Sequence, residues 1–373
     1  MDKIFYLSST DLAQVDMGFL HHLAGIYEIY YNVIITEKSG NYTEDELFEY
    51  AKNSNIIFKA YRFQRRRRDL RIGLEYLKVL ADIKKIKPDI IYTISTDIPV
   101  ISLLNILLNK KKTIVSIHDV EYHSNIPYAF LFKIGRSIIM RHFSNFQLFS
   151  KNQENIFRKQ YPQKTVFTIP LSLSDFGSKA DTEMQVSDKK KVRFLFFGYI
   201  APYKGLDGLL KTVNKLSKKY SNFELVIAGR CDVWDEVYEP LIENQSVIHK
   251  RIGFISNYEL PGLFLNSHYL VLPYKDATQS GPLMIAYNYN IPVIASNIEA
   301  FSSEVSEGIS GFLFNQHDAK SLEDVLESAI LQTEEEYRHL KNRMKEFVLT
   351  NYSTEHIVEK YKEMFAEVIA NNR

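Results

Sequence analysis

The chain has 373 residues, enough for roughly two domains with a core each, and its 45% hydrophobic and 24% charged residues exclude a disordered or fibrous protein. Cys231 is the one cysteine, which excludes an intrachain disulfide framework and fits a reducing compartment. A net charge of +1 hides an asymmetry: residues 1–170 hold 24 basic and 17 acidic residues, a net of +7, while 171–373 hold 22 and 28, a net of −6.

The opening M-D-K-I-F-Y-L-S-S has neither the charged start nor the long apolar run of a signal peptide, and a strand is predicted at 4–7. Further strands are predicted at 30–35, 89–94, 113–117, 146–149 and 165–169, with helical periodicity over 69–86 and 128–143. The longest apolar run, 98–108, is far short of the ~20 residues a membrane span needs, so a cytoplasmic location is expected. Residues 170–190 are polar and aperiodic, as in a linker. Strands then resume at 192–197, 223–228, 269–273, 292–295 and 311–314, with helices over 206–218, 322–331 and 356–369, the last capped by Ser353 or Thr354. Strands alternating with helices predict two α/β lobes with parallel sheets: 1–172, a linker at 173–190, 191–352, and a final helix at 353–373. Ligands of such sheets bind outside the carboxyl ends of the strands.

Two segments carry most of the chemistry. In F-L-F-F-G-Y-I-A-P-Y-K-G, 194–205, a strand runs into Gly198, and Lys204-Gly205 precedes a helix. Gly198 allows close backbone approach, and Lys204 beside a helix start suits a diphosphate. An ordinary strand-to-helix turn with a solvated lysine fits the same residues. In the second segment, Thr278, Gln279, Ser280 and Gly281 lie between a strand and a helix. Their hydroxyls, amide and N–H groups suit sugar and phosphate oxygens, although Thr278 or Ser280 could equally be a plain helix N-cap.

These segments, with A-G-R (Ala228 to Arg230), Gly253-Phe254-Ile255 and S-E-G-I-S-G-F-L-F (306–314), resemble family 4 glycosyltransferases of the GT-B fold. The C-terminal Y-S-T-E-H-I-V-E-K-Y is similar to that family's last helix, which returns to the first lobe. The first lobe matches through I-H-D-V-E-Y-H-S, 117–124. The resemblance implies two Rossmann-like lobes facing a cleft and a retaining transfer from a nucleotide-sugar. It places Lys204 and Gly205 at the donor diphosphate, Gly253-Phe254-Ile255 at the base, and His118 in the cleft. The family's arginine after the glycine is Tyr199 here, with Arg230 as a substitute. No glutamate stands between Asp276 and Asn297, so the family's E-x7-E motif is absent; Gln279-Ser280-Gly281 resemble a T-Q-S-G subgroup of surface-polysaccharide enzymes. Glu304 is a candidate for the missing ribose contact, a buried or capping carboxylate being the alternative.

His118 and Asp119 end a predicted strand, where an imidazole fixed by a carboxylate can bond a sugar hydroxyl; a structural His–Asp pair is the alternative. Gly18 and His123 are acceptor-side candidates. The chain has no D-x-D triplet and no zinc spacing, so neither metal nor other cofactor is expected. Arg62, Arg65, Arg66, Arg67 and Arg68 sit beside Tyr61 and Phe63, and the helix predicted at 128–143 mixes cations with apolar residues. This favours an anionic membrane surface over nucleic acid, with a solvated face as the alternative. The expected partners are thus a nucleotide-sugar and a glycan or lipid-linked oligosaccharide acceptor. A nucleotide-sugar epimerase and a non-catalytic nucleotide-sugar-binding partner of another transferase are the competing readings.

Overall fold

The computed structural model describes residues 1–36, 42–65, 69–94, 97–120, 129–177 and 191–372. The chain divides into two compact units, Met1–Ser172 with Thr354–Arg373, and Leu173–Ser353.

The first unit is built on β1 (Lys3–Ser9), β2 (Glu28–Thr36), β3 (Ile57–Phe63), β4 (Ile90–Ile94), β5 (Thr113–Ile117), β6 (Asn145–Leu148) and β7 (Thr165–Thr168). They form a parallel sheet in the order β3-β2-β1-β4-β5-β6-β7, whose direction of growth reverses between β1 and β4. Helices α1 (Ala13–Met17), α2 (Leu20–Leu23), α3 (Glu44–Asn53), α4 (Ile72–Ile86), α5 (Pro99–Asn105), α6 (Ala129–His142) and α7 (Lys151–Gln160) connect the strands. The central strands β1 and β5 are buried on both faces and read as mainly apolar runs, as sheets covered on two sides require.

The second unit repeats the plan. Strands β8 (Val192–Phe197), β9 (Phe223–Gly229), β10 (Ile248–Ile252), β11 (Tyr269–Leu272), β12 (Val293–Ser296) and β13 (Gly311–Phe314) pair in the order β10-β9-β8-β11-β12-β13, all parallel. The helices are α8 (Leu206–Leu216), α9 (Leu260–Leu265), α10 (Gly281–Asn288), α11 (Glu299–Ser302), α12 (Ala319–Leu331) and α13 (Glu334–Tyr352). Residues 173–177, assigned by sequence to a linker, pack on this unit: Ser174 is buried and the Phe176 N–H donates to the Tyr289 hydroxyl at 3.0 Å. Residues 178–190 lie outside the described residues.

The final helix, α14 (Thr354–Ala370), belongs to the first unit. Ile357, Tyr361, Met364, Phe365 and Val368 complete its core, and the Tyr361 ring stacks on Phe19 with centres 3.9 Å apart.

Strands β3 and β10 and helix α13 were not predicted. Both strands are sheet edges. Their patterns, I-F-K-A-Y-R-F and I-H-K-R-I, bury few positions and carry the charges that protect an edge from further pairing. Helix α13 is polar, but Thr333 and Glu336 form a reciprocal capping box at its start.

Candidate functional site

In the second unit the order of growth reverses between β8 and β11, and the two segments singled out in the sequence meet there. Gly198 follows β8 with φ 112°; a Cβ on it would stand 2.9 Å from Lys204 Nζ and 3.7 Å from Pro282 in the first turn of α10. Gly205, at φ 68°, would drive a Cβ to 1.9 Å from the Pro273 carbonyl oxygen. Both positions therefore favour glycine for conformation, and Gly205 needs it for space as well. The next strand ends alike: Gly229 has φ 145° and lies directly against the Gly198 carbonyl. Its own carbonyl accepts the Gly253 N–H at 3.0 Å, so three glycines floor the carboxyl ends of β8, β9 and β10.

Lys204 is only 7% exposed. Its ammonium lies 5.0 Å from the centre of the Tyr274 ring and has no carboxylate partner among the described residues; burial pulls its pKa down to about 8. The solvated-lysine alternative is thereby excluded. A buried cation without a counter-ion is costly, and an anionic ligand removes that cost.

Ser280 is the N-cap residue of α10, yet its side chain does not cap the helix; it lies by the Tyr274 hydroxyl and opposes the rise in that group's pKa caused by burial. Thr278 and Gln279 are half-buried in the same loop, and Gly281 opens onto free space. Gly253 likewise faces open space, beside a Phe254 that is 72% exposed and a half-buried Ile255.

Two substitutes named from the sequence are held by other groups. Arg230 is exposed and pairs through Nε with Asp232 at 3.1 Å, and the Tyr199 hydroxyl donates to the same carboxylate at 2.9 Å. Glu304 accepts from the Tyr352 hydroxyl at the end of α13, and its backbone carbonyl accepts from Tyr287 at 2.7 Å. Burial raises the Glu304 pKa and the Tyr352 bond opposes that rise.

The first unit has its own pocket, of about 430 Å³, at the reversal between β1 and β4. Ser9, Thr10, Asp11, Ser116, His118 and Asp119 line its polar side, and isoleucines from β2, β4, α4 and α5 its apolar side. His118 Nδ1 lies 3.2 Å from Asp119 Oδ1, and its ring leans on Phe149. The loop holding this pair is clamped from behind. Arg136 of α6, 8% exposed, pairs with Asp97 and donates through Nη1 to the carbonyls of Asp119 at 2.7 Å and Val120 at 3.1 Å. Gln153 Oε1 accepts the Val120 N–H at 2.7 Å. Gly135 makes the clamp possible, since a Cβ there would meet the Asp97 carbonyl at 2.1 Å.

Arg136 thus corrects one expectation: it is a cation of the 128–143 helix that points inward rather than to solvent. Arg65 lines the pocket and is shared between Asp69 and Glu75 at 3.5 Å each, while Arg62 pairs with Glu44 at 2.8 Å. Arg66, Arg67, Arg68 and His123 lie outside the described residues. Gly18 sits in the α1–α2 turn with an ordinary φ of −66° and is not among the pocket residues. Sequence reasoning missed Gly229, Tyr274, Arg136 and Asp97. Gly229 and Arg230 share one motif, but Arg136 was hidden by the apolar helix around it. Among the described residues no group of three or more His, Cys, Asp or Glu is placed to hold a metal ion, and no helix is long and apolar enough to cross a membrane.

Two parallel Rossmann-like sheets, each with its site at the strand-order reversal, and a last helix returning to the first sheet define the GT-B fold. Sucrose-phosphate synthase from Thermosynechococcus elongatus matches 99% of this chain over 100% of its own, with a TM-score of 0.76 and 14% identity. HepE from Anabaena, solved with UDP, matches 98% of this chain over 100% of its own, with a TM-score of 0.72 and 14% identity. Within that fold, residues 178–347 match the model of the family described as Glycosyl transferases group 1, in agreement with the resemblance carried by the motifs. An uncharacterised 41.2 kDa protein in the cps region of Klebsiella pneumoniae is 25% identical over 177 residues, 48% of this chain and 47% of that protein, so the match spans about half the length of the relative.

Proposed function

We propose that the protein is a retaining, metal-independent glycosyltransferase that moves a sugar from a nucleotide-sugar to a glycan or lipid-linked glycan during surface-polysaccharide assembly. The observation that carries this reading is Lys204, a buried ammonium without a carboxylate partner among the described residues, at the junction of Gly198 and the start of α10. A diphosphate supplies the missing negative charge, and the α10 N-terminus adds its dipole. HepE has been solved with UDP and with UDP-glucose, which makes a uridine diphosphate sugar the first donor to test. The cps-region relative supports the polysaccharide context.

In this reading Lys204 and α10 stabilise the departing diphosphate without a metal ion. The T-Q-S-G loop meets the sugar hydroxyls. His118, its tautomer fixed by Asp119, bonds a hydroxyl near the reacting carbon from the acceptor-side pocket. The chain acts at the cytoplasmic face of a membrane that carries the acceptor.

The test is a thermal-shift screen with nucleoside diphosphates and nucleotide-sugars, followed by donor hydrolysis with the purified chain. A ligand of the folded state raises its melting temperature by mass action. UDP is expected to stabilise the protein, and UDP-sugar to be slowly hydrolysed. Stabilisation without hydrolysis or transfer to any glycan would favour a binding partner, and interconversion of the donor sugar an epimerase.

A further inference from the structure

The apolar side chains left in water gather on one face of the first unit. Helix α4 exposes Leu74 and Leu77, and Leu70 leads into it. Helix α5 and the turn after it expose Leu103, Ile106 and Leu107, the last at 73%. Helix α6 adds Phe130 and Ile134 near its start. The three helices are neighbours, α4 packing on α5 and α5 on α6. Gly73 brings α4 against Val100 and Leu104, and Gly135 brings α6 against Ser102. All three bury their opposite sides, through Tyr76, Ile101 and Ile139, in one core, so the exposed side chains share the face turned away from the sheet. Five of the seven exposed leucines among the described residues belong to it. Lone exposed leucines are ordinary, whereas a run across three helices marks a contact surface.

On α5 and α6 the charges have one sign. Neither 99–118 nor 129–142 contains a carboxylate. Lys110, Lys111, Lys133 and Arg141 are exposed and form no ion pair among the described residues. Arg62, Arg65 and Arg71, by contrast, are neutralised by Glu44, Glu75 and Asp69. Helices α4 and α5 also turn Ile72, Ile98 and Ile101 into the His118 pocket, so the face borders the pocket wall.

We propose that the α4–α5–α6 face docks on a bilayer containing anionic lipid, its leucines and Phe130 entering the acyl boundary and its unpaired lysines meeting lipid phosphates. Exposed apolar side chains together with unpaired cations, and no carboxylate on α5 or α6, complement that surface. The proposal deepens the transferase reading and rests on it for one point, that the acceptor is carried by lipid.

The experiment is flotation of the full chain with phosphatidylcholine vesicles with and without phosphatidylglycerol, beside a Leu74→Ser, Leu107→Ser, Phe130→Ser triple variant. All three positions are exposed; circular dichroism and the UDP thermal shift verify folding. The wild type is expected to float with the anionic vesicles and the variant to lose at least ~10-fold in partitioning while keeping the UDP shift. A second variant, Lys110→Gln with Lys133→Gln, should weaken binding less and remove part of its salt dependence. The proposal is overturned if the wild type ignores anionic vesicles at low salt, if the triple variant floats equally well, or if the wild type is a dimer that the triple variant dissociates. Vesicle binding without any nucleotide shift would instead sink the transferase reading and leave the docking face standing.

Discussion

Replacing Lys204 with methionine should make the empty protein more stable, an advantage that bound nucleotide should shrink or cancel. Methionine keeps the length and apolar stem of the side chain and removes the charge that burial penalises. The fall from the ordinary 10.5 to about 8 corresponds, at 1.36 kcal/mol per pH unit, to about 3 kcal/mol held against the folded state. The folded value lies below the unfolded one, so between pH 8 and 10.5 the unfolded chain binds the extra proton. Wild-type stability from this group therefore rises with pH across that window, and the penalty is fully present below it. At pH 7 the variant's second unit should melt several degrees higher, at ~2–4 °C per kcal/mol for a domain of this size. The gain should fade as the pH rises through about 10.5 and vanish above it, where the wild-type lysine becomes neutral in both states. UDP should narrow or cancel the gap, because the variant loses a charge-assisted contact of ~1.5–3 kcal/mol. Scanning calorimetry over pH, with and without UDP, reads both effects. A variant less stable than wild type at pH 7, or one binding UDP equally well by titration calorimetry, would refute the reasoning.

The glycine floor separates strain from contact: Gly229→Ala should cost more than about 3 kcal/mol in urea unfolding, because its methyl meets the Gly198 carbonyl, while Gly253→Ala, strained but facing open space, should cost about 1–3 kcal/mol. Comparable costs at the two positions would contradict that geometry. His118→Ala should cut turnover about 100-fold while leaving the UDP thermal shift intact; near-normal turnover would make His118 structural. Arg136→Met removes the cation of a buried ion pair with Asp97 and should cost ~3–5 kcal/mol. Arg136→Lys keeps the charge but loses the fork to two carbonyls, so it should lower kcat with UDP affinity unchanged, and equal kcat would show that the clamp does not position His118.

The architecture was legible where periodicity was strong. Strands β5, β8 and β13 fall on the residues predicted, since buried parallel strands read as apolar blocks. The edges were not legible, because β3 and β10 are half polar and look like loop until a neighbour pairs with them. The corner formed by Gly198, Lys204 and Gly205 was visible in their spacing. Its discriminating property, the burial of Lys204, involves Tyr274, 70 residues away in sequence. The same holds for Arg136: an arginine in an apolar helix reads as an interfacial cation until Asp97, 39 residues earlier, is seen to receive it.

Helix α14 also bears on the order in which the chain becomes folded. The first sheet's strands are made by residue 168, but Tyr361, Met364 and Phe365, all fully buried against them, follow the entire second unit. With Ile357 and Val368 these five side chains contribute roughly 10 kcal/mol of burial, at about 2 kcal/mol each, as much as the whole net stability of a typical domain. During synthesis the lobe that leaves the ribosome first is therefore the last to become stable. It waits with Phe19 and Tyr92 uncovered while the second lobe closes on itself. A fragment ending at Ser172 is for the same reason not a domain but an unfinished one, and its natural complement is a peptide spanning 354–370.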